Sequence, residues 1–391
     1  MDSAFLRHEC SRCGRPPAGT PPFGVATCCQ APLRSTYDLD RAAHLLAGEG
    51  PRGPGLWRHA ALLPVPSVRH RVSLGEGDTP LLAAPTLSRE LGARLFVKDE
   101  SGNPTGSFKD RGLAVAVSLA AQGGVTRIVL PTAGNAGASA AAYGRRAGID
   151  VSIHAPDGTP REILAEIRLR GATLRVHPGS IADAGRHAAD EAAESGALPV
   201  ATFREPGRVE GKKTMAYELR EQLDGLPDAI VYPCGGGTGI VAMAQAFDEM
   251  EGLGWIGRRR PRLWAVQSEG CAPIVRAMES GAATADPWPD PRTFASGLRV
   301  PSAFADRLIL DALRRTNGGA VSVSEEAIAE AGTRLARTEG ILAGPEGAAA
   351  VAGCLRLLAE GRIERSERVV IFQTGTALKY LEAWTAAVAA G

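Results

Sequence analysis

The 391-residue sequence has few aromatic residues, no long apolar run and almost no net charge. Aromatic side chains make up 5% of the chain, and 44 Lys and Arg oppose 43 Asp and Glu, for a formal charge of +1. Because neither sign dominates, the composition gives no support for nucleic acid or an anionic membrane as a partner. A membrane span needs about 18 to 20 apolar residues and a signal peptide needs an apolar N-terminal segment, and the sequence has neither pattern. We therefore expect a cytoplasmic protein.

Cysteine is also sparse, with seven residues, an odd number that argues against a disulfide framework. Four of them lie near the N-terminus, where Cys10 and Cys13 form a C-x-x-C pair and Cys28 and Cys29 are adjacent. The spacing resembles a zinc ribbon, but neighbouring cysteines do not easily direct both sulfurs at one tetrahedral ion. We interpret residues 1–36 as a small metal-free module. A zinc site in which His8 replaces one of the paired cysteines is the alternative.

Glycine and alanine, by contrast, are abundant. The chain has 47 Gly and a hydrophobic share of 44%, as expected for an enzyme rather than a fibrous or disordered protein. Its length exceeds what one hydrophobic core usually serves. Strands of about five residues alternate with helices of about ten or more, which is the pattern of parallel α/β sheets. We predict two doubly wound α/β lobes of mostly parallel sheet, over residues 37–208 and 209–391.

One stretch, SGNPTGSFKDRG from Ser101 to Gly112, carries a lysine where a helix should begin. Pro104 prevents a strand or helix from running through the stretch, so a turn is expected, and Ser107 can cap the following helix. Lys109 would then lie in the first helical turn, near the positive end of the helix dipole, where a neutral amine is easier to reach. That setting suits a Schiff-base lysine, and the alternative is a solvated lysine on a loop.

Three further strings are expected at the ends of strands or the starts of helices. PTAGNAGAS contains Thr132 and Asn135, and its glycines permit close backbone approach. Arg208 and Lys212 lie at another helix start, where cations and free N–H groups can bind a phosphate dianion or simply begin a basic helix. A glycine-rich loop suited to a phosphate, but lacking the spacing of P-loops or dinucleotide sites, comprises Gly235, Gly236, Gly237, Thr238 and Gly239.

Together these strings resemble the threonine synthase branch of the pyridoxal-phosphate enzymes of the tryptophan synthase β-like fold, fold type II. The resemblance extends from about Tyr37 to Tyr380 and implies pyridoxal 5'-phosphate as the cofactor, held covalently by Lys109. It implies that Asn135 binds the cofactor's 3-hydroxyl, that the loop at 235–239 binds its phosphate, and that Thr374 meets its pyridine nitrogen. Thr132 and nearby backbone N–H groups would bind the substrate carboxylate.

The same resemblance implies a lyase of threonine biosynthesis that converts O-phosphohomoserine and water to threonine and phosphate by γ-elimination and β-addition. Arg208 and Lys212 would bind the substrate phosphate, and we expect a homodimer. Ala133 and Ala136 stand where relatives often carry hydroxyls. A serine/threonine ammonia-lyase, or a synthase adding another nucleophile, is therefore the alternative within the fold. A non-catalytic protein would require Lys109 to be idle.

Overall fold

The computed structural model describes residues 2–17, 24–47 and 53–389. The chain forms two compact units, each assembled from separate stretches. Unit 1 comprises Met1–Asp78, Asn103–Met215 and Asp248–Trp255, and unit 2 comprises Thr79–Gly102, Ala216–Phe247 and Ile256–Gly391. The sequence-based boundaries, 37–208 and 209–391, treat each lobe as one continuous stretch and stay a prediction, whereas these compact units are interleaved along the chain.

The strands and helices alternate over most of the described chain. The strands are β1 (Phe5–Cys10), β2 (Leu33–Tyr37), β3 (Leu81–Ala83), β4 (Arg94–Asp99), β5 (Arg127–Pro131), β6 (Asp150–Pro156), β7 (Thr173–His177), β8 (Leu198–Pro199), β9 (Ala229–Pro233), β10 (Arg262–Ser268), β11 (Gly319–Val323) and β12 (Arg368–Gln373). The helices are α1 (Leu39–Ala47), α2 (Pro85–Leu91), α3 (Lys109–Gln122), α4 (Asn135–Ala147), α5 (Arg161–Leu169), α6 (Ile181–Ser195), α7 (Gly207–Leu223), α8 (Thr238–Gly252), α9 (Pro273–Glu279), α10 (Asp306–Arg315), α11 (Glu325–Glu339), α12 (Pro345–Ala359) and α13 (Leu381–Ala389). None of the described helices is both long enough and apolar enough to cross a membrane.

Unit 1 contains a four-stranded parallel sheet in the order β7-β6-β5-β8. Strand β8 is shorter than the strand that the sequence predicts over 199–202. Val200 still donates its N–H to Val129, but the chain then turns, and Phe203 adopts a positive φ of 60°. The N-terminal hairpin of β1 and β2 is antiparallel and also belongs to unit 1. The predicted end of α1, at Gly48 and Gly50, lies outside the described residues.

Unit 2 contains a six-stranded sheet in the order β11-β10-β9-β12-β4-β3, and only the edge strand β3 is antiparallel. Its strands are nearly continuous apolar runs because helices cover the sheet. Gly353 of α12 lies directly against Val266 of β10, where a larger residue would overlap. These two sheets confirm the predicted α/β class with mostly parallel strands.

Helix α7 begins against a buried carboxylate. Glu205, 3% exposed, accepts hydrogen bonds from the backbone N–H of Arg208 at 3.1 and 3.2 Å, so it satisfies a donor at the helix start. Burial nevertheless raises the pKa of Glu205 from its ordinary value of 4.5 to about 7. The capping carboxyl therefore takes up a proton near neutral pH.

The Glu205 carboxyl should make stability depend on pH. Since its folded-state pKa is the higher one, the stabilisation is complete below about pH 4.5 and is lost as the pH rises through about 7. The loss is about 3 kcal/mol at most. Replacing Glu205 by Gln keeps an oxygen acceptor without a charge, so it should flatten the fall in the free energy of unfolding between pH 5 and pH 8.

Urea denaturation at several pH values measures this effect. The exposed Glu330→Gln variant is the matched control and should keep the wild-type pH dependence. An unchanged slope in Glu205→Gln would show that Glu205 does not titrate in this range.

Candidate active site

Lys109 is the first residue of α3, as the sequence predicts. The preceding turn is closed by the N–H of Gly106, which donates to Asn103 at 2.7 Å, and Gly106 has a positive φ of 70°. The Lys109 side chain is half-buried, and its ammonium lies 3.8 Å from the centroid of the Phe108 ring. A cation over an aromatic face is electrostatically favourable, so the Phe108 ring stabilises this position of the amine.

The expected capping role of Ser107 is not observed. Phe108 takes the cap position of α3 and makes no side-chain cap, while the Ser107 hydroxyl is buried without a hydrogen-bond partner in the described part of the chain. Leaving such a group unsatisfied costs about 1 to 3 kcal/mol. A buried hydroxyl two residues before the lysine is therefore available to a polar group bound at the start of α3.

A buried carboxylate holds the lysine turn in place. Asp110 accepts hydrogen bonds from both the N–H and the hydroxyl of Thr105, each at 2.6 Å. It also accepts one from Ser139 of α4 at 2.6 Å. The turn, the start of α3 and the first turns of α4 are thus joined at one side chain. Sequence reasoning missed this role, although an acid directly after the lysine was a visible signal.

The turn before α4 is built around Thr132. Its hydroxyl donates to the carbonyl of Gly134 at 2.9 Å and accepts from the N–H groups of Gly134 and Gly137 at 3.1 and 3.2 Å. A hydroxyl has one donor and two acceptor sites, so Thr132 uses all of them to shape the turn. Asn135 begins α4 and is half-buried. A direct contact between Thr132 and a substrate carboxylate, which the family resemblance implies, would replace one of these bonds.

Gly137 allows close packing at the start of α4. A Cβ atom at this position would overlap Thr132 of the turn and crowd Ile167 of α5 at 2.9 Å. Glycine therefore lets α4 lie close to its neighbours in unit 1.

The start of α7 brings Lys212 to the same aromatic ring as Lys109. The ammonium of Lys212 lies 5.4 Å from the centroid of Phe108, and it donates to the carbonyl oxygen of Arg208 at 2.7 Å. Lys212 is fully buried. Lys213 points elsewhere, because it pairs with Glu210 at 2.6 Å. The ammonium groups of Lys109 and Lys212 therefore lie near the same aromatic ring.

The Arg208 side chain is also buried, at 3% exposure. Its Nη1 donates to the carbonyl of Val200 at 3.0 Å, while its Nε has no hydrogen-bond partner within the described residues. Burial lowers the pKa of this guanidinium below its usual range. Arg208 is therefore a buried cation that is held in place through Nη1 and whose Nε–H can still donate a hydrogen bond.

In unit 2 the glycine-rich loop follows β9 and opens α8. The sequence predicts a helix from Ile240, whereas α8 begins two residues earlier, at Thr238, so residues of the loop supply the first helical N–H groups. Gly237 has a positive φ of 76° and packs against Ile309. A Cβ atom at Gly235 would overlap the carbonyl of Gly297, and one at Gly239 would overlap the Tyr232 hydroxyl. Only glycines allow this tight loop, a shape suited to an anion.

Two more groups lie near that loop in unit 2. Thr374 is buried directly after β12, which is hydrogen-bonded between β9 and β4. The hydroxyl of Ser296, next to Gly297, is buried with no partner among the described residues. Strands β9, β12 and β4 are parallel, so the glycine loop, Thr374 and the residues that follow β4 all begin at the same edge of the sheet. Open α/β sheets bind ligands at this edge.

These features fit a phosphorylated cofactor that bonds to an amine. The orphaned hydroxyls of Ser107 and Ser296 are available to ligand atoms, and the glycine loop with the start of α8 is suited to a phosphate. Lys109 supplies an amine beside the Phe108 ring. Unit 1 thus holds an amine and a buried hydroxyl, and unit 2 holds a loop suited to a phosphate and a second buried hydroxyl.

Solved structures show the same fold. The processed form of threonine deaminase isoform 2 from Solanum lycopersicum aligns with a TM-score of 0.68 at 23% identity, covering 80% of this chain and 84% of that one. Maize serine racemase aligns with a TM-score of 0.69 at 21% identity, covering 80% and 92%. At these identities the likeness concerns architecture, which is that of fold type II.

Sequence comparisons are more specific. Threonine synthase of Methanocaldococcus jannaschii is 36% identical over 361 residues, covering 91% of this chain and 89% of that protein, and the enzyme of Methanosarcina acetivorans is 35% identical over 374 residues, covering 95% and 91%. The family model described as pyridoxal-phosphate dependent enzyme matches residues 72–375. That match includes Lys109, Asn135, the glycine loop and Thr374, and the chain belongs to the pyridoxal-phosphate dependent enzymes.

Proposed function

We propose that this protein is a threonine synthase that converts O-phosphohomoserine and water to threonine and phosphate. The observation that carries the proposal is the pair of lysines at one aromatic ring, with Lys109 at 3.8 Å and Lys212 at 5.4 Å from the Phe108 centroid. One amine is needed to hold the cofactor. A second cation beside it, Lys212, suits a substrate that carries a phosphate group. The threonine synthases of about 35% identity support the same substrate class.

The cofactor supplies an electron sink next to the substrate's amino group. On the protein side, the loop at 235–239 and the N-terminus of α8 favour the cofactor's phosphate, because unpaired helix N–H groups and the helix dipole attract anions. Thr374 offers a neutral hydroxyl for the pyridine nitrogen. Asn135, at the start of α4, offers an amide for the 3-hydroxyl.

Lys109 is the proposed carrier of protons. The reaction must remove one proton from the α carbon and one from the β carbon before phosphate leaves the γ carbon. It must then add a proton to the γ carbon before water adds at the β carbon, and return one to the α carbon afterwards. An amine released at the start of α3 can serve these steps, since Phe108 and the fixed turn keep it in one place. Positioning of this kind lowers the barrier by making the proton transfer effectively intramolecular.

Arg208 and Lys212 are proposed to stabilise the departing phosphate. Both are buried, and a charge placed in a site with little water acts more strongly than one in solvent. The unpartnered Nε of Arg208 gives a donor that need not be withdrawn from another bond. Repulsion between the substrate and cofactor phosphates would otherwise oppose binding.

The direct test is a panel of amino acids assayed for phosphate and ammonia, with products identified by mass. The proposal predicts that O-phosphohomoserine yields equal amounts of threonine and phosphate. Release of ammonia from serine or threonine, with O-phosphohomoserine left intact, would contradict it and establish the ammonia-lyase alternative instead. A product carrying another added nucleophile would establish the alternative synthase.

Replacing Lys212 by Met should weaken use of the phosphorylated substrate selectively. We expect the stabilisation of the transition state, measured from kcat/KM for O-phosphohomoserine, to weaken by about 2 to 4 kcal/mol. This is the scale for losing one partner of a charged contact. The spectral change on adding unphosphorylated serine should stay as in the wild type. Stopped-flow absorbance and phosphate assays measure the two quantities.

The matched control is Arg220→Met, which removes a cation two turns further along α7. It should leave the ratio between the two substrates unchanged. If Lys212→Met impairs both amino acids equally, Lys212 is a structural residue of the α7 start and does not recognise phosphate.

A further inference from the structure

The four N-terminal cysteines converge in space. The Sγ atoms of Cys10, Cys13, Cys28 and Cys29 all lie within 4.8 Å of one another, and those of Cys13 and Cys28 are 3.4 Å apart. In a tetrahedral zinc site with Zn–S bonds of about 2.3 Å, the sulfurs are about 3.8 Å apart. The observed cluster therefore has the dimensions of a four-thiolate metal site.

Two tight turns produce this convergence. After β1, the N–H of Gly14 donates to Cys10 at 2.9 Å, and Gly14 has a positive φ of 72°, so the chain reverses around Cys13. The second turn is closed by the N–H of Ala26 donating to Ala31 at 2.8 Å. Within it Gln30 adopts a positive φ of 48°.

The second turn explains how the adjacent Cys28 and Cys29 can both direct their sulfurs at one ion. Adjacent cysteines in an extended strand would point to opposite sides. Cys28 and Cys29 instead lie in the turn that Ala26 and Ala31 close, where the bent backbone brings both sulfurs to the cluster. His8 is not needed as a ligand, and its Nδ1 lies 3.0 Å from the Ser35 hydroxyl.

Among the residues that the structure describes, the module around the cysteines has little apolar core of its own. Its buried cluster consists of Cys10, Ala26 and Leu33, with Cys29 and Ala31 packed against it. Segments below about 40 residues usually need a metal, disulfides or a partner surface to stay folded. A single disulfide would use only two of the four converging sulfurs. A metal ion would use all of them.

We propose that Cys10, Cys13, Cys28 and Cys29 bind one Zn²⁺ ion as a structural site. Four thiolate ligands at tetrahedral spacing favour zinc among the common divalent metals. Each thiol loses its proton to solvent as its sulfur bonds to the ion. Since all four positions are taken by protein, no place is left for water or substrate, and the ion stabilises the fold without taking part in chemistry.

The site stabilises a contact with the helix that carries Arg208 and Lys212. Strand β2 leads from the cysteines to Tyr37, whose hydroxyl donates to Glu210 of α7 at 2.6 Å, and the N–H of Ser35 donates to the same carboxylate at 3.4 Å. The ammonium of Lys213 lies 4.1 Å from the centroid of the Tyr37 ring. Zinc binding would thus hold the module on the start of α7. The zinc site itself does not depend on the proposed function.

Metal analysis of the full-length protein, purified under reducing conditions from zinc-supplemented medium, tests the proposal. The expected result is about one zinc per chain. The double variant Cys13→Ser, Cys28→Ser should retain less than about a tenth of that amount, because two ligands are lost. Both replaced residues are exposed, so the change removes little packing. The control Cys354→Ala removes a buried cysteine outside the cluster and should keep its zinc.

A second measurement does not rely on a variant that folds. Wild-type protein stripped of metal and loaded with Co²⁺ should show the strong visible bands of tetrahedral cobalt thiolates, and added Zn²⁺ should abolish them. A chain purified without zinc would overturn the proposal. So would zinc retained by the double variant, bound iron, or a mass lower by two hydrogens that shows a Cys13–Cys28 disulfide.

Discussion

The geometry around Lys109 depends on the buried carboxylate of Asp110. This side chain is completely buried, and three hydrogen bonds of 2.6 Å connect it to Thr105 and Ser139. A carboxylate that is desolvated must be hydrogen-bonded to be tolerated, and here the donors come from the turn before the lysine and from α4. The lysine turn therefore cannot move without leaving a buried charge unsatisfied. The hydrogen bonds of Asp110 therefore fix the backbone position of Lys109 relative to α4.

The sheet of unit 2 imposes a corresponding constraint on the groups proposed to bind the cofactor. β12 lies between β9 and β4 and runs parallel to both. The segments that follow these strands must therefore begin at one edge. Lys98 of β4 is held by a buried ion pair with Glu218 at 2.8 Å, so this lysine has a structural partner of its own. Strand order thus brings distant parts of the sequence to the same edge.

Periodicity and turn chemistry predicted much of the fold. The sequence pattern predicts a strand over Thr173–His177 and a helix over Ile181–Ser195, and these are the bounds of β7 and α6 in the structure. It also predicts that Ser324 caps a helix, and the Ser324 hydroxyl accepts from the N–H of Ala327 at the start of α11. These features depend on local sequence alone. The interleaving of the two compact units does not, since it arises from long-range packing that a linear pattern leaves undetermined.

In the candidate site, too, some features were predictable from local sequence and others were not. The position of Lys109 in the first turn of α3 was predictable, because Pro104 and the apolar run after the lysine delimit the helix. The environments of Ser107 and Thr132 were not, since the hydroxyl of one is buried without a partner and that of the other is saturated by its own turn. Hydrogen bonds of this kind depend on angles that residue types do not specify.

Lys109 is proposed to hold the cofactor, and trapping the covalent link tests this assignment most directly. Borohydride reduction of the yellow holoenzyme, followed by proteolysis and peptide mapping, should place the pyridoxyl adduct on Lys109. Three other buried lysines have structural contacts: Lys98 pairs with Glu218, Lys212 donates to Arg208, and Lys213 pairs with acids of α7 and α8. An adduct on any of these three lysines or on the buried Lys379, with Lys109 unmodified, would contradict this assignment.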